Sequence, residues 1–174
     1  MEIMFQLVFL VYQFCIPING YTLLDKEKSF VKFEQWNMNK TGVLKFRFKT
    51  QNPYGLIMYS DNSGTSSYTK SYIALKLVYA KLEVTIQMGA DDYKSNRKKK
   101  FKDRVLNDMD WHYVEIKRDM KHTRATHITL DKHTESIYND GEHSQLELNS
   151  GLFFGGIPHT KRNMVDGSWT LEPR

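Results

Sequence analysis

The chain has 174 residues, of which 40% are hydrophobic and 26% charged, a balance that suits one globular core and leaves no room for a second domain of ordinary size. Its net charge of +5 is compatible with an anionic partner. Cys15 is the single cysteine, which excludes an intramolecular disulfide and leaves stability to packing.

In chain order, the opening "MEIMFQLVFLVYQFCIPING" carries an apolar run from Phe5 to Ile18, followed by Asn19 and Gly20. Such a run ending at a small residue has the character of a secretory signal peptide over residues 1–20, although Glu2 is its only charged side chain and the usual basic start is missing. The same residues would also serve as a buried N-terminal strand. The run is too short to span a bilayer, which takes about 20 residues. Cleavage after Gly20 would remove Cys15 and expose the sequon Asn39-Lys40-Thr41 to glycosylation.

Further on, short segments alternate with period two, and neither heptads nor a long helical pattern interrupts them. In "GVLKFRFK", Leu44, Phe46 and Phe48 share one face and Lys45, Arg47 and Lys49 the other, which marks a strand with one side on a core. "YGLIMYS", from Tyr54 to Ser60, is continuously apolar enough for a central strand. "YIALKLV" and "KLEVTIQ" flank the tight connection Tyr79-Ala80, so that Ile73, Leu75 and Leu77 meet Leu82, Val84 and Ile86 in a hairpin. A charged loop is expected from Met88 to Asp110. Strands are then expected at Trp111 to Arg118, Ala125 to Asp131, Thr134 to Tyr138, Gln145 to Leu148 and Leu152 to Phe154, joined by polar turns.

Asp108, Asp110 and His112 fall within five residues, a spacing that raises the question of a catalytic or metal site. Alternation through "WHYVEIKR" puts His112, Val114 and Ile116 on the core face, while the two aspartates occupy the preceding polar turn, where carboxylates bond nearby backbone N–H groups. The three therefore need not converge. The chain lacks a G-x-S-x-G elbow, and the remaining histidines are scattered without helical ligand spacing. The structural role is preferred, and no catalytic residue is assigned.

The ordered segments "GLIMYSDN", "SYIALKLVYAKLEVTIQMG", "LNDMDWHYVEIKRD", "THITLD" and "SGLFFGGIP" together resemble a laminin G-like domain, of the type shared by laminins, neurexins, agrin and sex hormone-binding globulin, and most nearly the first such domain of a neurexin. The resemblance runs from about Tyr21 to about Pro158. It implies an all-β fold, an antiparallel two-sheet jelly-roll sandwich of the concanavalin A-like lectin and glucanase architecture, in agreement with the alternation. It also implies extracellular recognition without catalysis, in cell adhesion or synaptic contact, with a cell-surface or extracellular protein as partner. Family members continue past the "FFGG" strand into a final strand pair, whereas "HTKRNMVDGSWTLEPR" follows here, so residues 159–174 are expected to be a truncated or alternative end of what in a longer parent is a cell-surface receptor.

The resemblance further implies a calcium site, in which an aspartate directly before the Tyr72 to Val78 strand and an aspartate or asparagine near Asn149 are ligands. Ser71 stands at the first place, and a hydroxyl cannot supply the carboxylate charge that calcium favours. Asp91 and Asp92 lie nearby but among cations. Tight calcium binding is not expected, and no cofactor is assigned.

The segment "KSNRKKKFKDR" carries Lys94, Arg97, Lys98, Lys99, Lys100, Lys102 and Arg104 against Asp103, seven cations to one anion, which accounts for the whole positive excess of the chain. Such a patch attracts a polyanion and binds it with strong salt dependence. Aromatic platforms for single-stranded nucleic acid are confined to Tyr93 and Phe101, so for an exported chain the expected partner is heparan sulfate and not nucleic acid. A solvated loop serving only solubility is the alternative. From a different class, a carbohydrate-active enzyme on the same architecture would need paired carboxylates on one face, for which the outward residues of "KLEVTIQ" offer Glu83 with Thr85 and Gln87; an inactive receptor fragment is a third possibility.

Overall fold

The computed structural model describes residues 3–7, 10–11, 14–15, 20–23, 29–63, 71–89, 96–139 and 146–164. Among these residues fourteen strands follow in chain order: β1 (Ile3–Leu7), β2 (Leu10–Val11), β3 (Phe14–Cys15), β4 (Tyr21–Leu23), β5 (Val31–Gln35), β6 (Thr41–Thr50), β7 (Gly55–Asp61), β8 (Tyr72–Val78), β9 (Lys81–Gln87), β10 (Asn96–Lys100), β11 (His112–Asp119), β12 (Ala125–Leu130), β13 (His133–Tyr138) and β14 (Gly151–Phe154). They form two six-stranded antiparallel sheets, ordered β13-β12-β11-β6-β1-β4 and β10-β9-β8-β7-β14-β5, with β2 and β3 as a separate ribbon.

The core lies between the sheets because alternation aims every second residue inward. Leu44, Phe46 and Phe48 of β6, with Val114 and Ile116 of β11, join Leu75, Leu82 and Val84 of the opposite sheet in one buried cluster. Removing each such side chain from water contributes about 1.5–3 kcal/mol. Phe154 of β14 sits edge-on to Phe46 at 5.1 Å and to Phe33 of β5 at 5.7 Å, a T-shaped arrangement that ties three strands together. β7 is buried along its whole length, as a continuously apolar central strand requires.

The expected β8–β9 hairpin has the expected register, with Leu77 opposite Leu82, Leu75 opposite Val84 and Ile73 opposite Ile86. Its two turn residues, Tyr79 and Ala80, both take positive φ, 52° and 59°, the geometry that matches the twist of a two-residue hairpin.

Two expected elements need correction. The stretch from Met88 to Asp110 is not loop throughout, because Asn96–Lys100 forms the edge strand β10 on β9. Conversely, 146–149 has no strand; Leu146 and Leu148 are buried and Glu147 exposed, so the alternation there records which side faces the core without any ladder. The segment read as a leader contains β1, which pairs with β6 from Ile3 opposite Thr50 to Leu7 opposite Phe46, and with β4 on its other side.

A second apolar cluster, Leu56, Tyr59, Ala74, Phe153 and Ile157, lies on the outer face of the second sheet. The segment after β14 produces it: Gly155 takes a φ of 79°, the chain reverses, Ile157 covers the sheet, and a 3₁₀ turn (His159–Met164) follows. Lys161 then fixes the end of this cover, its Nζ 2.8 and 3.0 Å from the two carboxylate oxygens of buried Asp61. Among the described residues, no helix is long and apolar enough to cross a membrane.

Candidate functional site

The cations singled out from sequence are distributed by β10. Because side chains alternate along a strand, Lys98 and Lys100 lie opposite Thr85 and Glu83 on the outer face, whereas Arg97 and Lys99 lie opposite the core residues Ile86 and Val84. Lys99 is thereby aimed across the seam between the sheets and reaches Glu135 of β13 at 3.4 Å. Phe101 closes the same seam, buried and edge-on to His133 at 6.0 Å.

On the outer face, Glu83 is held between Lys76 at 3.1 Å and Lys98 at 3.6 Å. Lys98 keeps 56% of its side chain exposed, while Lys100 and Lys102 are exposed. Arg104 is bonded to Asp131, and Lys94 lies outside the described residues. The cluster is therefore not seven equivalent free charges. Lys98, Lys100 and Lys102 present charge to solvent; Lys99 and Arg104 brace the fold.

The histidine cluster differs from expectation in one respect and agrees in another. His112 is buried on the core face of β11, with 4% exposure, beside Phe48 at 5.7 Å. Asp108 does converge on it, with Oδ1 3.0 Å from Nε2, and Asp131 Oδ2 lies 3.0 Å from Nδ1. Asp131, at the β12–β13 turn with φ 54°, also accepts from the Tyr113 backbone N–H at 2.8 Å. Sequence reasoning passed over it because its partner lies across the sheet and no local spacing marks the pair.

Burial pushes the Asp131 carboxyl up, but the bonds from His112, Tyr113 and Arg104 outweigh it and hold the group below the usual carboxylate range. Asp108 behaves alike: desolvation raises it, and bonds from the Asp110 N–H and His112 bring it down. With both imidazole nitrogens engaged by carboxylates, the ring fastens the loop before β11 to the turn after β12. That arrangement provides no unengaged nitrogen for proton abstraction. Nor does Glu83 form a carboxylate pair, since its ionic partners are Lys76 and Lys98.

The calcium positions suggested by the family resemblance do not fit a metal. Ser71 is buried; its Oγ accepts from the Gly89 N–H at 3.1 Å, and its own N–H donates to Asn62 Oδ1 at 3.1 Å. Asn149 is exposed and its Oδ1 accepts from Gln35 Nε2 at 3.4 Å. Between them lies Asp61, whose N–H donates to Ser150 Oγ at 2.9 Å and whose charge the Lys161 ammonium already offsets. Among the described residues no group of three or more His, Cys, Asp or Glu could hold a metal ion.

One buried cation was not anticipated. Arg118 continues the inward face of β11 and is 2% exposed; it donates to the Asn39 carbonyl at 3.2 Å and to Thr126 Oγ1 at 2.9 Å. Burial pulls its pKa down to about 10, which leaves it charged at neutral pH. The apolar periodicity of "WHYVEIKR" extends to this position, which is the signal that places it inside.

The sequence profile of the Laminin G domain matches residues 48–170. The chain belongs to the laminin G domain family. Neurexin-2 of Rattus norvegicus is 27% identical over 146 residues, covering 79% of this chain and 8% of that protein. Neurexin 1 of Drosophila melanogaster is 27% identical over 153 residues, covering 88% and 8%. This laminin G domain thus spans about a twelfth of the length of those relatives. Among solved structures, domains LG4–5 of the mouse laminin α1 chain superpose with a TM-score of 0.63 at 21% identity, covering 80% of this chain and 34% of that one, which shows a common fold.

Proposed function

We propose that this laminin G domain is an extracellular, non-enzymatic recognition module of cell-adhesion type, exported after removal of residues 1–20, and that it binds heparan sulfate through the outer face of β10. The observation that carries the polyanion reading is the geometry of the edge strand: Lys98 and Lys100 project from the same face of a rigid sheet, with Lys102 two residues on. A strand spaces alternate side chains about 7 Å apart, so Lys98 and Lys100 stand at a fixed separation on the sheet edge, with Lys102 just past the strand, and less ordering entropy opposes binding. A sulfated chain laid along this row would release counterions as a nucleic acid does. Family membership supports the extracellular setting and a protein partner on the cell surface; Asn39, partly exposed before β6, is then a candidate for glycosylation.

Retention on immobilised heparin tests the proposal. Replacing Lys98, Lys100 and Lys102 together by alanine should lower the salt needed for elution, while Lys99→Ala, whose partner is Glu135, should change retention little. Equal retention of the triple variant and the parent would remove the β10 face as the site.

A further inference from the structure

The rim on which the His112 cluster lies also presents a surface away from the outer face of β10. Three loops are stitched into it by backbone hydrogen bonds: Ala80 N–H to the Pro53 carbonyl at 2.7 Å, Leu106 N–H to the Ala80 carbonyl at 3.0 Å, and Met109 N–H to the Thr50 carbonyl at 3.3 Å. From this braced platform Tyr79, Val105, Met109 and Trp111 project with 71%, 55%, 40% and 40% of their surface exposed. Tyr79 packs edge-on against Tyr54 at 5.0 Å, so an aromatic pair stands at one end of the platform and an indole near the other.

The turn geometry does not ask for these residues. A two-residue hairpin with both φ values positive is met without strain by Asn-Gly; a tyrosine there, and a methionine at φ 64°, add backbone strain while leaving apolar surface in water. Strain of this kind concentrates at functional positions, and an exposed aromatic patch on a rigid support is the usual anchor of a protein interface.

Charge identifies the occupant. Beside Val105 and Trp111 opens a cleft of about 450 Å³, also lined by Asp108 and Asp110, on a protein whose net charge is +5. Asp131 in the same cleft is answered by Arg104 and His112. Asp108 keeps 42% of its side chain exposed, and among the described residues the Asp110 carboxylate has no partner. The Lys49 ammonium lies over the Trp111 ring at 5.3 Å, so an incoming cation is drawn by the Asp108 and Asp110 carboxylates, and the indole offers it apolar contact.

We infer that this rim is a docking surface for a protein segment that presents an arginine or lysine flanked by apolar side chains, the cation entering the cleft between Asp110 and Trp111 and the apolar residues covering Val105, Met109 and Tyr79. It is a second surface, independent of the polyanion face of β10.

Fluorescence polarisation with a labelled peptide of alternating arginine and leucine tests this, with a glutamine–leucine peptide as control. The parent protein should bind the arginine peptide at least about ten-fold more tightly than the control. The double variant Asp110→Asn, Trp111→Ala should lose about ten-fold or more in affinity while its heparin retention is unchanged. Tyr79→Asn, which relieves the turn, should raise the melting temperature and still weaken the peptide, a combination that a purely structural role would not produce. Absence of binding at millimolar peptide, equal binding of the two peptides, or parental affinity in the variants would overturn the inference. So would salt-sensitive self-association of the parent, or glycan binding, that Trp111→Ala abolishes, since the rim would then serve a second copy or a sugar.

Discussion

Asp131→Asn isolates the charge at the centre of the His112 cluster. Asparagine has the shape of aspartate, tolerates the left-handed backbone at this turn, and its carbonyl can still accept the Tyr113 N–H. It cannot answer the imidazole and the guanidinium with a negative charge. The contact with His112 is 3.0 Å and that histidine side chain is 5% exposed, so its loss falls within the range of about 1.5–3 kcal/mol for a hydrogen bond to a charged group. The contact with Arg104, whose side chain is 55% exposed, is worth about 0–1 kcal/mol. The sum, about 1.5–4 kcal/mol, corresponds to a fall in melting temperature of about 3–16 °C for a domain of this size. Thermal unfolding followed by near-ultraviolet circular dichroism reads it. Arg104→Ala should reproduce only the small part; if it reproduces the whole loss, or if Asp131→Asn melts with the parent, His112 does not fasten the two loops.

The acid limb of stability follows from the carboxylates. In Asp61, burial pushes the carboxyl up, and the bonds from Lys161, Ser63 and Ser150 more than reverse this; Asp131 is lowered in the same sense. A folded pKa below the unfolded value means stability that is fully present above about pH 4 and lost as pH falls through the lowered folded values, which a urea midpoint measured against pH will show. Lys161→Met keeps contact with Phe153 but strips Asp61 of its cation, and should cost about 3 kcal/mol, as breaking a buried pair does. Arg118→Lys should cost about 1–3 kcal/mol in urea unfolding, because an ammonium cannot reach the Asn39 carbonyl and Thr126 together as the guanidinium fork does. Secreted protein should begin at Tyr21 on N-terminal sequencing; recovery of Met1 would assign Ile3–Leu7 a permanent place beside β6.

The sandwich was legible wherever one face of a strand meets the core. Leu44, Phe46 and Phe48, the β8–β9 hairpin, and His112, Val114 and Ile116 all alternate and are all buried as expected. β10 was hidden because an edge strand with solvent on one side and a seam on the other has no apolar member: Arg97 to Lys100 carry charge at every position, and period two is invisible in a uniform run. The 146–149 segment shows the converse, alternation without pairing. Composition located the cations but not their inequality, because only the sheet decides that Lys99 turns toward Glu135 while Lys98 and Lys100 face out. The Asp108–His112–Asp131 arrangement was half visible, as a four-residue spacing; its other half is a contact between the first residue of β11 and a distant turn. Residues 3–7 illustrate a limit of a different kind, since the apolar side chains that suit a leader also suit a strand.

Lys98 and Lys100 on β10, with Lys102 just past it, are proposed to recognise a sulfated polyanion. Titration calorimetry with a heparin-derived oligosaccharide at several salt concentrations measures it directly, because each cation contact contributes about 0.7–0.9 to the slope of log affinity on log salt. Replacing Lys98, Lys100 and Lys102 by alanine should weaken binding and reduce that slope by about 2–3. An unchanged slope and affinity in the triple variant would contradict the claim.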